Sequence, residues 1–143
     1  YVGRLVKDSM NRGELQPDAL TNAIFSNILI SKLSSDNHLI ADGYPRTISQ
    51  SENFEAMIRF FKRDAVKIIY IELSKGEATR RMKLRGRSDD TDEGIAQRFD
   101  EYVNNVIPAM NYFVGKPGYE LYTINGEQSV EDVHKDIIKA LKL

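Results

Sequence analysis

Cysteine is absent from the 143 residues, which rules out disulfides and thiolate zinc sites and permits a reducing, cytoplasmic setting. Histidine occurs only as His38, in a polar turn, and His134, on the last helical stretch. Neither has a partner at ligand spacing, so both read as surface residues. No charge sign dominates, since 20 Lys and Arg stand against 21 Asp and Glu, a net charge of -1. A protein that coats nucleic acid or lies on a membrane would show a basic excess in that sum, so any anion site has to be local. No apolar run approaches the roughly 20 residues that span a bilayer. Internal repeats, low-complexity tracts and a dividing linker are lacking too. The remaining composition, 41% hydrophobic and 29% charged, suits one globular domain over residues 1–143 that buries about two thirds of its unfolded surface.

Periodicity sets out the elements in order. Residues 3–10 carry Leu5, Val6 and Met10 at helical spacing and end at Asn11-Arg12-Gly13, with the glycine near the cap. After a connector around Leu15, Pro17 and Asp18 open a second helix, with Asp18 as its cap and Leu20, Ile24, Phe25, Ile28 and Leu29 along one face. Residues 39–42 read as a short buried strand, and residues 51–62 as a helix with Phe54, Met57, Ile58 and Phe61 inward. Residues 66–73 form a strand rich in β-branched side chains, and Ser74 caps a helix running to about Leu84. A polar break at residues 86–92 leads to a long helix over about 93–105 that Pro108 bends or interrupts. A strand at 119–124 and a helix at 130–141 complete the chain. Strands alternating with helices predict an α/β fold, three layers αβα around a parallel sheet. The aromatic residues Tyr70, Phe99, Tyr102, Tyr112 and Phe113 belong to the core, and Lys7, Lys62, Lys67 and Lys75 face solvent.

Chemistry concentrates in two places. Asp42-Gly43-Tyr44-Pro45-Arg46-Thr47, with Gln50 beyond it, breaks the chain out of its strand where open α/β sheets bind ligands. Arg46 follows a proline, so its planar fork can be held ready for a phosphate, the bland alternative being a salt bridge to Asp42. The second is arginine: Arg80, Arg81, Arg85 and Arg87 fall within eight residues, Asp89 and Asp90 follow, and Arg98 lies on the next helix. Arg81 and Arg85 stand one helical turn apart, able to address one ligand. A charge run is more often a solvated face. Together with Arg46, however, the cluster supplies arginines from separate segments, which suits a transition state with charge spread over phosphoryl oxygens.

These residues resemble the adenylate kinases of the nucleoside monophosphate kinase family. The resemblance rests on the residues from Asp42 to Thr47 with Gln50, on Gly13-Glu14-Leu15 with Pro17, on Arg81, Arg85, Arg87, Asp89, Asp90 and Arg98 with Tyr102 and Pro108, and on Asn125-Gly126 before Ser129-Val130. It covers nearly the whole chain, in the family's order. It implies a P-loop nucleoside monophosphate kinase-like fold with AMP-binding helices at about 1–33 and a short lid at about 85–92. The reaction implied is transfer of the terminal phosphate of Mg-ATP to AMP, the alternative being a nucleotide-binding or scaffold module without chemistry. Arg46 would hold the AMP phosphate, Gln50 the adenine, Gly43 the close approach of the base, and Leu15 the pocket wall. Arg81 would lie over the adenine of ATP and Arg85 on its phosphates, with Gly126 on the same side. Arg87 and Arg98 would close on the transferring group, and Asp42 would sit near Mg2+ through water. Thr47 follows the motif arginine where the family's uridylate and cytidylate kinases usually carry asparagine, which favours AMP.

One departure stands beside these agreements. The 143 residues contain no G-x-x-x-x-G-K phosphate loop, the feature whose amides and lysine cradle the phosphates of ATP. The resemblance therefore implies a chain truncated at its N-terminus by about forty residues, including a central strand. Such a piece is expected to be weak or inactive, and to fill the gap by keeping the missing segment, by repacking its sheet, or by pairing with a second copy through open strand edges. The parent enzyme is expected to be a monomer.

Overall fold

The computed structural model describes residues 1–12, 14–63 and 65–143. Its centre is a parallel pair of strands, β1 (Val66–Glu72) and β2 (Tyr119–Asn125), registered from Val66 opposite Tyr119 to Glu72 opposite Asn125. Three helices precede β1: α1 (Val2–Asn11), α2 (Asp18–Lys32) and α3 (Ile48–Phe60). A parallel pair needs a long crossover, and here it consists of α4 (Lys75–Arg85), α5 (Asp92–Glu101), a π-helical turn (Tyr102–Val106) and α6 (Ile107–Asn111). Helix α7 (Val130–Leu141) follows β2 and packs on it, while α3 packs between α2 and α6. The mixed helices and parallel strands agree with the αβα class expected. Among the described residues no helix is long and apolar enough to cross a membrane.

Four helices start on a hydroxyl that accepts a hydrogen bond from a backbone N–H of the first turn: Thr47 for α3, Ser74 for α4, Thr91 for α5 and Ser129 for α7. These caps satisfy donors that a helix leaves orphaned, and each contributes about 1 kcal/mol. The core is an aromatic chain. Phe25 stacks on Tyr44 with ring centres 4.2 Å apart, Phe54 meets Phe113 edge-on at 5.9 Å, and Phe113 stacks on Tyr119 at 4.8 Å. Ile58 is buried beside Phe54 and Phe113, and Leu39, Val66 and Ile68 close over them.

Several sequence expectations need correction. Residues 39–42 form no strand: among the described residues the sheet has two strands, and nothing pairs with this segment. Hydrophobicity alone does not make a strand without a hydrogen-bonding neighbour. Leu39 still packs on the aromatic cluster, whereas Ile40 is 92% exposed. Helix α3 begins three residues early, because Thr47 is its cap. Pro17, not Asp18, precedes α2, and the Asp18 carboxylate makes no capping bond. On α2, Leu29 is buried and Phe25 joins the core, but Ile24 and Ile28 are exposed. The expected glycine cap at Gly13 lies outside the described residues. The change of winding expected at Pro108 falls just before it, at Tyr102–Val106. Proline lacks an N–H and crowds the carbonyl four residues back, and the wider turn accommodates both. His38, His134, Lys7, Lys62, Lys67 and Lys75 are all exposed as expected.

Candidate active site

A cleft of about 1220 Å³ opens between the connector at Leu15, the segment from His38 to Arg46, strand β1 and the stretch of the crossover from Arg85 onward. Of the residues singled out in the sequence, Leu15, Asp42, Gly43, Arg46, Arg85, Arg87 and Arg98 line it. Gln50, Arg81 and Gly126 do not. The four arginines among them come from three segments of chain and converge on one space, which Arg63 also lines, an arrangement suited to a polyanion.

The Asp42-to-Thr47 turn holds Arg46 by local geometry. Gly43 has φ +70, in the left-handed region where a Cβ is costly, and a Cβ there would lie 2.7 Å from the Arg46 guanidinium. The Tyr44–Pro45 peptide is cis. Arg46 Nε donates to the Gly43 carbonyl at 2.7 Å, and its backbone N–H donates to Gln50 Oε1 at 2.8 Å. Nη2 of the guanidinium lies against Gly43, and Arg46 lines the cleft in that tethered pose. No salt bridge to Asp42 forms. The Tyr44 hydroxyl accepts from Asn53 Nδ2 at 2.9 Å and donates to Asn22 Oδ1 at 2.8 Å, and burial pushes its pKa up.

The arginines at and beyond the expected lid are organised by one carboxylate. Asp90, whose side chain is 1% exposed, takes Arg85 in a two-point bond, Nη2 to Oδ1 at 2.6 Å and Nε to Oδ2 at 3.0 Å. Its Oδ1 also accepts from Arg98 Nη1 at 3.1 Å, and its Oδ2 from the Arg87 backbone N–H at 3.0 Å. Asp89 holds the other end of Arg98. These bonds, Arg85 foremost, hold the Asp90 carboxyl down to about 2. Among the described residues no acidic side chain lies within salt-bridge reach of the Arg87 guanidinium, which is exposed.

Arg81 is engaged elsewhere. Glu77 accepts from Arg80 and from Arg81, each at 2.7 Å, and is held down to about 2 by them. Gly126 sits against the end of β1, its N–H donating to the Glu72 carbonyl at 2.8 Å. Gln50 is 3% exposed, one wall deeper than Arg46.

The family comparison decides the class. A family model described as adenylate kinase matches residues 1–117. The chain belongs to the adenylate kinase family. It is 38% identical to an adenylate kinase of Oenococcus oeni over 90% of this chain and 69% of that protein. It is 32% identical to an adenylate kinase of Synechococcus over 98% of this chain and 74% of that one. A uridylate kinase of Saccharomyces cerevisiae is 31% identical over 98% of this chain and 68% of its own length. The family is one of phosphotransferases acting on nucleoside monophosphates, and its members generally use Mg-ATP.

Asp18, expected as a helix cap, instead bonds Thr47 and Gln50; Glu101, for which the sequence suggests no role, lines the cleft, as do Tyr70 and Tyr102, expected as core aromatics. The hydroxyls of Tyr70 on β1 and Tyr102 share a hydrogen bond at the cleft, which with burial raises the Tyr70 pKa to about 12. Only tertiary contacts bring such residues together, so spacing along the chain carries no signal for them.

Proposed function

We propose that this chain binds AMP and Mg-ATP and transfers the terminal phosphoryl group from one to the other. The observation that carries this reading is the convergence of Arg46, Arg85, Arg87 and Arg98 on one cleft. Phosphoryl transfer asks little covalent chemistry of a protein and much positioning and charge neutralisation. In this reading Arg46, tethered by Gly43, grips the phosphate of AMP. Arg85 and Arg98, spaced by Asp90, lie along the phosphates of ATP and the group in transit. Arg87 closes from the lid. Leu15 and Gly43 border the base, and Gln50 reads its edge from behind Arg46. Arg81 and Gly126 belong to the ATP base on the outer side, where Arg81 must exchange Glu77 for the nucleotide.

Among the described residues no three acidic or imidazole side chains gather to cage a metal. Mg2+ keeps several waters and takes one or two carboxylates plus substrate phosphates. The exposed Asp42 at the cleft fits that need, acting through water.

The 143 residues carry no G-x-x-x-x-G-K loop, so by themselves they offer ATP arginine side chains without a backbone cradle. A polypeptide of these residues is therefore expected to bind AMP while turning over weakly or not at all, and for it the binding-module reading is the competitor. Titration calorimetry with AMP, UMP and a non-hydrolysable ATP analogue, on the chain and on Arg46→Ala, is the test. AMP should bind better than UMP, and the substitution should weaken AMP roughly tenfold to a hundredfold with little change in the analogue. Equal loss for both nucleotides overturns the assignment of Arg46.

A further inference from the structure

The amide of Gln50 is pinned from two sides. Its Oε1 accepts the backbone N–H of Arg46 at 2.8 Å, and its Nε2 donates to Asp18 Oδ1 at 2.8 Å. Both partners have fixed polarity, because a backbone N–H can only donate and an ionised carboxylate can only accept. The orientation of the amide is thereby forced. Asp18 is itself held, since the same Oδ1 accepts from Thr47 Oγ1 at 2.9 Å. A primary amide has two N–H groups and two oxygen lone pairs. One of each is used, leaving one N–H on the Asp18 side and one lone pair on the Arg46 side, an order set by the orientation of the amide.

That order distinguishes purines. Adenine offers an amino donor next to a ring-nitrogen acceptor, whereas a 6-oxo purine offers an acceptor next to a donor. To read the second pattern the amide would have to turn over, setting its NH2 against the Arg46 N–H and its oxygen against the Asp18 carboxylate. Both contacts would then be of like polarity.

We infer that Asp18 is a specificity-determining positioning residue: by accepting from Gln50 Nε2 it fixes the amide for a 6-amino purine monophosphate and against a 6-oxo one. The inference rests on the proposed AMP site. It deepens that reading, since it names the group that makes Gln50 selective. Asp18 touches no substrate and acts only through the amide it orients.

The experiment is a set of dissociation constants for AMP, IMP and ribose 5-phosphate, measured on the unaltered chain, Asp18→Asn and Asp18→Glu, with thermal melts alongside. The unaltered chain should favour AMP over IMP by tenfold or more. In Asp18→Asn the residue 18 amide can turn with Gln50, which removes one of the two like-polarity contacts while the Arg46 N–H keeps the other, so the AMP-to-IMP ratio should fall by up to about tenfold, mainly through tighter IMP binding, without inverting. Ribose 5-phosphate, which has no base, should bind all three alike. Asp18→Glu, which keeps the acceptor, should restore much of the selectivity. A merely structural role for Asp18 would lower all three affinities together and leave the ratio unmoved, which overturns the inference while leaving the AMP site intact. Failure of AMP and ribose 5-phosphate to bind the unaltered chain overturns the site reading itself, and the inference with it. If Asp18→Asn melts before binding can be measured, the ratio in Asp18→Glu decides: preserved selectivity supports the inference, and selectivity lost with the carboxylate still present overturns it.

Discussion

A single missing side chain sets the loop before α5 in place. A Cβ added to Gly94 would collide with the Asp89 carbonyl oxygen, a backbone atom that moves only with its loop. Because Gly94 leaves that space, residues 89 and 90 fold down on the first turn of α5, where their carboxylates meet Arg98 and Arg85. Gly94→Ala is therefore expected to destabilise the protein by about 1–3 kcal/mol, as overpacking does, read as a fall in the urea midpoint. Gly76 in α4 has nothing within 4 Å of such a Cβ. Gly76→Ala should be neutral or stabilising by up to about 1 kcal/mol, and a larger loss there than at Gly94 would refute the steric account. At this scale the sequence was legible where chemistry is local. Arg46 beside Gly43 and Asp90 beside Arg87 could be found by spacing, whereas the bond from Asp18 to Gln50 joins residues far apart in the chain and needs the fold.

Elements were legible wherever pattern and cap agreed. Strands β1 and β2, and helices α4 and α7 with their serine caps, stand within a residue or two of their expected ends. Periodicity failed at residues 39–42, where burial on one side mimics a strand; at Tyr102–Val106 the winding changes just ahead of Pro108, the residue that announces it. The loop between α4 and α5 carries its own prediction. The folded-state pKa of Asp90, about 2, lies below the ordinary 3.8, so the charged form favours the folded loop. That contribution is complete above about pH 4 and lost as pH falls through about 2. The Asp90 carboxyl carbon in an NMR titration should stay in its ionised position down to about pH 3 while the chain remains folded. A midpoint near 4 in the folded protein would mean that Arg85 and Arg98 do not grip it.

Across the molecule, the core and the cleft are one structure. Phe54, Ile58 and Phe113 are the buried centre of the aromatic cluster, and the same three residues line the cleft beneath the arginines. Helices α2, α3 and α6 and strand β2 meet through this cluster, so it transmits packing from the nucleotide side to the sheet. Phe54 is 7% exposed and touches Phe25, Tyr44 and Phe113 through its ring. Phe54→Ala removes the middle of that chain and should cost about 3–5 kcal/mol, a large share of the stability of a domain this size. The polar groups of the proposed site do not depend on the ring for their bonds, since Arg46 is tethered by Gly43 and Gln50 by Asp18. A ligand that binds only the folded form at a hundred times its Kd restores about 2.7 kcal/mol. Urea titrations of Phe54→Ala with and without saturating AMP should therefore show most of the lost stability returning with the nucleotide. An AMP-independent midpoint in a variant that still folds would show that the nucleotide site does depend on the Phe54 ring, against the independent tethering of Arg46 and Gln50.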